Sequence, residues 1–306
     1  MNKYSLIWAF IFLLVSCKED RPAINVGDQT PTETGGTVEE SLEVKLVRNT
    51  TLIKKVVSFN EAQLADGVKE ARLEYLNQHS QPMALFFFKV DLNNKDIQLK
   101  PLTPNGEKRY AMQSIPDMVK VNTFSGYKIV GAVNSDFFNT STGEPRSIVI
   151  LNKQAVRTTL PTIRSYFGIN ESGAPIIGDY SVFSTQQTTI VDALGGYHRL
   201  IKQNFPIAQT DLSVHPRTAV GFTANKIVYF LVADGRNPSY SNGLTLADVT
   251  AIMKALEVKE AINLDGGGSS TFVVNKTQIS VSNQPSDGSP RKVANGWAIC
   301  TKHSQK

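Results

Sequence analysis

Cysteine is almost missing from this sequence. Only Cys17 and Cys300 occur in 306 residues, so a disulfide framework is excluded as the source of stability. Histidine is scarce too. His79, His198, His215 and His303 show neither a His-x-His nor a His-Glu-x-x-His spacing, which argues against a zinc centre. The net charge of +5 is dispersed and forms no Lys/Arg stripe interleaved with aromatics, so no nucleic-acid partner is expected. No internal repeat is visible, and no Pro/Gly-rich linker interrupts residues 42–301, which favours a single domain.

The amino-terminal apolar run, Leu6 to Val15, falls short of the ~20 residues that a membrane-spanning helix needs. With Lys3 before it, the run reads instead as a signal peptide over residues 1–16. Leu14-Val15-Ser16-Cys17 is similar to the bacterial lipobox, with cleavage before Cys17 and lipidation of that cysteine; the bland alternative is an ordinary signal peptide. Lys18-Glu19-Asp20 is similar to the acidic signal that sends some lipoproteins to the outer face of the outer membrane. An envelope lipoprotein anchored in the outer membrane is therefore expected. Residues 17–41, with Pro22, Pro31, Gly35 and Gly36, read as a polar tether, and 42–306 as the folded domain. Lipidation of Cys17 leaves Cys300 without a partner, and its apolar setting suits a buried small hydrophobe.

Within the domain, Met83 to Asp91 and Lys128 to Val133 read as buried strands, and Tyr110 to Val121 as a helix capped near Ser114. Glu61 to Tyr75 has a mixed pattern, read as a helix leading into a strand. Short strands alternate with Gly and Pro turns from Ser147 to Gln209. Leu246, Val249, Ile252, Met253 and Leu256 fall at helical spacing, with Thr245 as N-cap and Asp248 three residues on. An apolar strand precedes this helix and another follows it. The expected fold is α+β: a mixed β-sheet core with a few helices, including one strand–helix–strand crossover onto a parallel neighbour.

That crossover draws attention to two carboxylates. The first strand runs into Asp234-Gly235-Arg236, the second into Asp265-Gly266-Gly267-Gly268-Ser269-Ser270. Parallel strands end at one sheet edge, so Asp234 and Asp265 should share a crevice. A third strand ends in Asn134-Ser135-Asp136, where the side chains either hold sugar hydroxyls or polarise water, or simply form an Asx-turn. The three glycines allow close backbone approach and offer successive N–H groups to an anion, or they merely make a tight turn. The turn is neither a P-loop nor a dinucleotide fingerprint, nor a Gly-x-Ser-x-Gly elbow. Arg217, Arg236 and Arg291 lie at strand edges beside these aspartates and suit a phosphate clamp, although each alone reads as a surface or salt-bridge residue. No cofactor is expected; the aspartates and Asn134 would suit Ca²⁺ or Mg²⁺, the less favoured option.

Taken in order, Gly131-Ala-Val-Asn-Ser-Asp-Phe-Phe138, Gly143-Glu-Pro145, Pro216-Arg-Thr-Ala-Val-Gly221, Asp234-Gly235-Arg236, Asn263-Leu-Asp-Gly-Gly-Gly-Ser-Ser270 and Pro290-Arg-Lys-Val293 resemble the phosphodiester glycosidase family over roughly residues 70–301. The resemblance implies hydrolysis of a sugar-1-phosphodiester, of the GlcNAc-1-phosphodiester kind, between the anomeric carbon and the phosphate oxygen. It implies Asp265 as nucleophile or base with Asp136 or Asp234 as partner. Asn134, Arg217, Arg236, Arg291 and Gly266 to Ser270 would hold the substrate. Retention and inversion stay equally open. The family usually has glycine at the positions of Ser135 and Ser147, so a positive φ there would be strained. Two other readings remain: a metal-dependent phosphodiesterase cleaving P–O, and a non-catalytic, lipid-anchored glycan-binding protein.

Overall fold

Residues 40–303 are described by the computed structural model. The expected signal peptide and Cys17, and the tether up to residue 39, lie outside the described residues. The chain begins with α1 (Leu42–Asn49), capped by Ser41, then the hairpin β1 (Ile53–Ala65) and β2 (Val68–Asn77). There follow β3 (Pro82–Asp91), β4 (Ile97–Leu102), α2 (Ile115–Val121), β5 (Tyr127–Asn134), β6 (Val149–Leu151), β7 (Gln154–Arg157), β8 (Arg164–Asn170) and β9 (Pro175–Gly178). The last part holds α3 (Tyr180–Gln186), β10 (Ile190–Tyr197), β11 (Arg199–Lys202), β12 (Phe205–Pro206), β13 (Arg217–Phe222) and β14 (Ile227–Ala233). It closes with α4 (Leu246–Ala255), β15 (Glu260–Asn263), β16 (Phe272–Asn275), β17 (Ile279–Val281) and β18 (Gly296–Lys302).

These strands make three sheets: β1-β2-β3-β14-β13-β15-β11-β12, β7-β6-β10-β8-β9 and β17-β16-β5-β18-β4. The large sheet is apolar on both faces. Along β3, Leu85 and Phe87 point to one side, against α4 and α1, while Ala84, Phe86, Phe88 and Val90 point to the other. Period-two alternation with both faces covered explains why Met83 to Phe88 is an unbroken apolar run. On the second face Phe88 stacks on Phe272 with ring centroids 3.9 Å apart, and Phe167 meets Trp297 edge-on at 5.0 Å. One core cluster thus joins all three sheets.

Helix α4 forms as its sequence directs. Thr245 and Asp248 exchange hydrogen bonds in a capping box, and Leu246, Val249, Ile252 and Met253 are buried under the large sheet. Helix α2 likewise starts at its cap, Ser114. Two expectations need correction. Every pair of hydrogen-bonded strands is antiparallel, so the sheets are not mixed. Strands β14 and β15 do run in the same direction on either side of α4, but β13 lies between them and pairs with both. The second correction concerns Glu61 to Tyr75, which contains no helix. It is the β1–β2 hairpin, closed between Ala65 and Val68 by Asp66-Gly67, with Gly67 at φ +76°.

Candidate active site

Strand β5 of the β17-β16-β5-β18-β4 sheet and β15 of the eight-stranded one end side by side. The junction is Asn134. Its Nδ2 donates to the Asp265 carbonyl at 2.6 Å, and its Oδ1 accepts from the Thr218 hydroxyl at 2.9 Å and the Thr271 N–H at 3.1 Å. The Asp265 N–H donates to the Ser135 carbonyl at 2.7 Å. Asp265 is therefore stapled by its main chain, while its residue keeps partial exposure. Asn134 is fully buried and its amide is spent on these bonds, which removes it from the substrate-contacting set and makes it the bracket that positions Asp265.

Asp136 sits behind. The Asn295 Oδ1 accepts its N–H at 2.9 Å, and the Asn295 carbonyl accepts the Ser135 N–H at 3.2 Å. Its Oδ2 accepts the Ser147 N–H at 2.8 Å, and Arg164 Nη1 stands 3.6 Å from its Oδ1. Strand β10 passes close above: a Cβ on Gly195 would fall 2.2 Å from Ser147 Cβ and 2.6 Å from Asp136 Oδ2. Ser135 donates its hydroxyl to the Gly195 carbonyl at 3.3 Å. Neither Ser135 nor Ser147 adopts a positive φ, so the strain expected of serine there is absent.

The two acids are electrically linked. Burial pushes Asp136 up to about 7; Arg164 and the Ser147 N–H pull it back, and the Asp265 charge raises it further. Burial likewise pushes Asp265 up to about 6, against the Ser269 hydroxyl, Arg291, the Gly266 N–H and Arg164.

Asp234 is elsewhere. Its Oδ1 accepts from Asn283 Nδ2 at 2.8 Å, and its Oδ2 accepts from the Gln284 N–H at 2.7 Å and the Tyr240 hydroxyl at 3.2 Å. It is 2% exposed and fully engaged, so the expected Asp234–Asp265 pair is replaced by Asp136 and Asp265. The reason is β13, which holds the two strand ends apart.

The arginines divide as well. Arg217 is buried, with Nε donating to the Leu244 carbonyl at 3.1 Å and Nη2 to the Ser213 carbonyl at 2.6 Å. It braces loops rather than a ligand. Arg236 is exposed and lies over the glycine turn, its Nη2 3.0 Å from where a Gly267 Cβ would be. Arg291, paired with Asp287 at 2.7 Å, covers Gly268 and acts on Asp265 through its charge. The turn itself offers less than expected. The Gly267, Ser269 and Ser270 N–H groups donate to the carbonyls of Pro216, Gly266 and Gly267, and are not free for an anion. Ser270 is buried, its hydroxyl 3.3 Å from that of Thr218 and its carbonyl accepting from Asn283.

Arg164 and Asn295 were not singled out from the sequence. Arg164 opens an ordinary-looking strand, and Asn295 precedes another; only the three-sheet junction reveals them. Among the described residues no group of three or more His, Cys, Asp or Glu side chains is placed to hold a metal ion. The cleft of about 490 Å³ around Lys100, Asn122 and Asp192 is not lined by these carboxylates.

A model of the phosphodiester glycosidase family matches residues 127–300. Among curated proteins, N-acetylglucosamine-1-phosphodiester alpha-N-acetylglucosaminidase of Mus musculus is 30% identical over 176 residues, and that of Homo sapiens 28% over 177. Each match spans 51% of this chain but only 33% of the relative. Among solved structures, the catalytic domain of the zebrafish enzyme of the same name, auto-inhibited by its pro-peptide, superposes with a TM-score of 0.60 at 20% identity. It covers 84% of this chain and 87% of that one. A hypothetical protein from Synechocystis gives 0.60 at 12% identity, over 80% of this chain and 64% of that one. Those two likenesses speak for the fold.

Proposed function

This chain belongs to the phosphodiester glycosidase family, and from that premise we propose that it hydrolyses the glycosidic bond of a sugar-1-phosphodiester. The observation that carries the reading is Asp265. The residue is partly exposed while burial raises its carboxyl, and it is pinned by its own main chain between two sheets, with Arg236 and Arg291 beside it and a second acid behind it. A phosphodiester is a good leaving group, so the site needs little acid assistance to the departing oxygen. It needs instead a carboxylate near the anomeric carbon and cations near the phosphate.

In this reading Asp265 attacks the anomeric carbon or activates the water that does. Arg236 and Arg291 neutralise the charge growing on the leaving phosphate, and rigid guanidinium forks suit its oxygens. Asp136, with a fully buried side chain, works through its field on Asp265 rather than by touching sugar. The named activity of the mammalian relatives suggests an α-linked N-acetylglucosamine at the anomeric position. The full-length chain, incubated with an α-GlcNAc-1-phosphodiester, should release free sugar. Asp265→Asn should cut that release about a hundredfold or more with folding intact; full activity in the variant would remove the assignment.

The cell-envelope location belongs to the same proposal and rests on the Leu14–Cys17 pattern alone. Cys17→Ala should leave the membrane fraction, and its retention there would refute the lipid anchor.

A further inference from the structure

Arg164 has no part in that scheme, yet its surroundings are unusual. Its guanidinium lies 5.2 Å from the Phe137 ring centroid and 4.9 Å from that of Tyr197, two faces that stand in for part of the lost water. Nη1 is buried, has no hydrogen-bond partner, and stands 3.6 Å from Asp136 Oδ1. That is too far for a hydrogen bond, so charge alone joins the two. The Asp136 side chain is 0% exposed, whereas Arg164 keeps 15% of its side-chain surface open. Since Nη1 is sealed, the open surface belongs to other atoms of that side chain. Arg164 also acts on Asp265, so one cation stands between two acids.

We propose that Arg164 couples anion binding to proton uptake: a phosphodiester oxygen that meets its open face takes over the cation facing Asp136, and Asp136 then accepts a proton from solvent. The inference rests on the sugar-phosphodiester reading and adds a step to it. The balance is simple. The diester brings one negative charge; each proton taken up brings one positive charge and turns a carboxylate into a carboxylic acid, and a midpoint shift of about one unit corresponds to at most about half a proton per bound diester. No other group is consumed.

The neighbours of Asp136 support this direction. It faces Arg164 from β8, the Ser147 N–H ahead of β6, the Phe137 N–H, Asp265 after β15, and the Gly195 backbone of β10. Arg164 in turn faces Tyr197, Arg146, Asp265 and His198. With the Arg164 charge engaged elsewhere, burial and the Asp265 charge both favour the protonated acid, opposed by backbone N–H groups. Burial holds Asp136 up at about 7, so the change is read near neutral pH.

The test uses the full chain in detergent, labelled with ¹³C at aspartate carboxyls, the Asp136 signal being assigned with Asp136→Asn. Dimethyl phosphate is the probe, because it stays singly charged across the pH range; sodium chloride at equal ionic strength is the control. The Asp136 midpoint should rise by about one pH unit when the diester binds, the order of effect of one close opposite charge. In Arg164→Gln the midpoint should already be high and should no longer respond. An unmoved midpoint, no binding of the diester at all, or an equal shift in Arg164→Gln would each overturn the proposal. The wild-type titration decides alone should the variant fail to fold. Sugar release with an unmoved midpoint would sink the coupling and keep the glycosidase. A moved midpoint without sugar release from any phosphodiester would do the opposite.

Discussion

Asn134→Ala separates a bracket from a ligand-binding residue. The side chain makes three hydrogen bonds, at 2.6, 2.9 and 3.1 Å, in a fully buried position. Its removal leaves the Asp265 carbonyl and the Thr271 N–H without that partner; Thr218 retains Ser270 at 3.3 Å. Each buried orphan costs about 1–3 kcal/mol, so the expected loss for the two is about 2–6 kcal/mol. For a domain of this size that is a fall in Tm of roughly 4–24 °C. Thermal melting of wild type and variant, followed by near-UV circular dichroism, gives the number. Sugar release measured well below the lower Tm should fall as well, through kcat, because Asp265 loses its fixed position. A variant that melts within about 2 °C of wild type but shows a raised KM would refute the bracket, and would return Asn134 to the residues that touch substrate.

The arginines should behave in opposite ways. Arg217→Met should lower stability by about 1–3 kcal/mol, since the buried Leu244 carbonyl and the partly buried Ser213 carbonyl lose a charged donor, while leaving KM in place. Arg236→Ala should raise KM several-fold without moving Tm; the reverse pattern would reinstate Arg217 in the phosphate clamp. The pH dependence follows from the acid pair. Folding raises Asp136 to about 7 and Asp265 to about 6, above the usual 3.8. The unfolded chain therefore gives up these protons first on the way up in pH. The native state is favoured in full below about pH 4, and that contribution is lost as pH rises through 6 to 7. Urea midpoints should fall by the equivalent of about 2–4 kcal/mol between pH 5 and pH 8, and by clearly less in Asp136→Asn. A flat profile would deny the burial of both charges. Gly195→Ala should cost about 1–3 kcal/mol and reduce turnover, because the new methyl falls on Asp136 Oδ2 and Ser147; unchanged kinetics would show that Asp136 is free to move aside.

Parts of this architecture were legible because one physical rule governed them. The apolar run of β3 announced a strand covered on both faces, and the Thr245–Asp248 spacing announced the start of α4. Both depend on near neighbours in sequence. The β1–β2 hairpin was obscured because β1 is a partly exposed strand at the edge of its sheet, and its lysines, glutamate and alanines suit a helix as well. The Asp66-Gly67 pair was the available signal. Arg164 carried none. Its significance comes from Phe137, Tyr197 and Asp136, which belong to other elements and meet it only in three dimensions.

Asp234 shows how a correct direction can give a wrong neighbour. Strands β14 and β15 are parallel to each other and their ends do lie at one edge, as the helix between them required. Because β13 is inserted between them, those ends are two strand spacings apart, roughly 9–10 Å. At that distance Asp234 turns to what is near it, the Asn283-Gln284 segment, and holds it by two contacts, with a third from Tyr240. That segment leads directly into Asp287 and Arg291, the pair that covers Gly268 beside Asp265. The aspartate therefore still serves the site, at one remove: it anchors the loop that delivers an arginine. Asp234→Asn keeps one oxygen and turns the other into a donor, so it can still pair with Tyr240 but loses one of the two N–H contacts, and its effect on kinetics should appear as a raised KM that Arg291→Ala makes no worse.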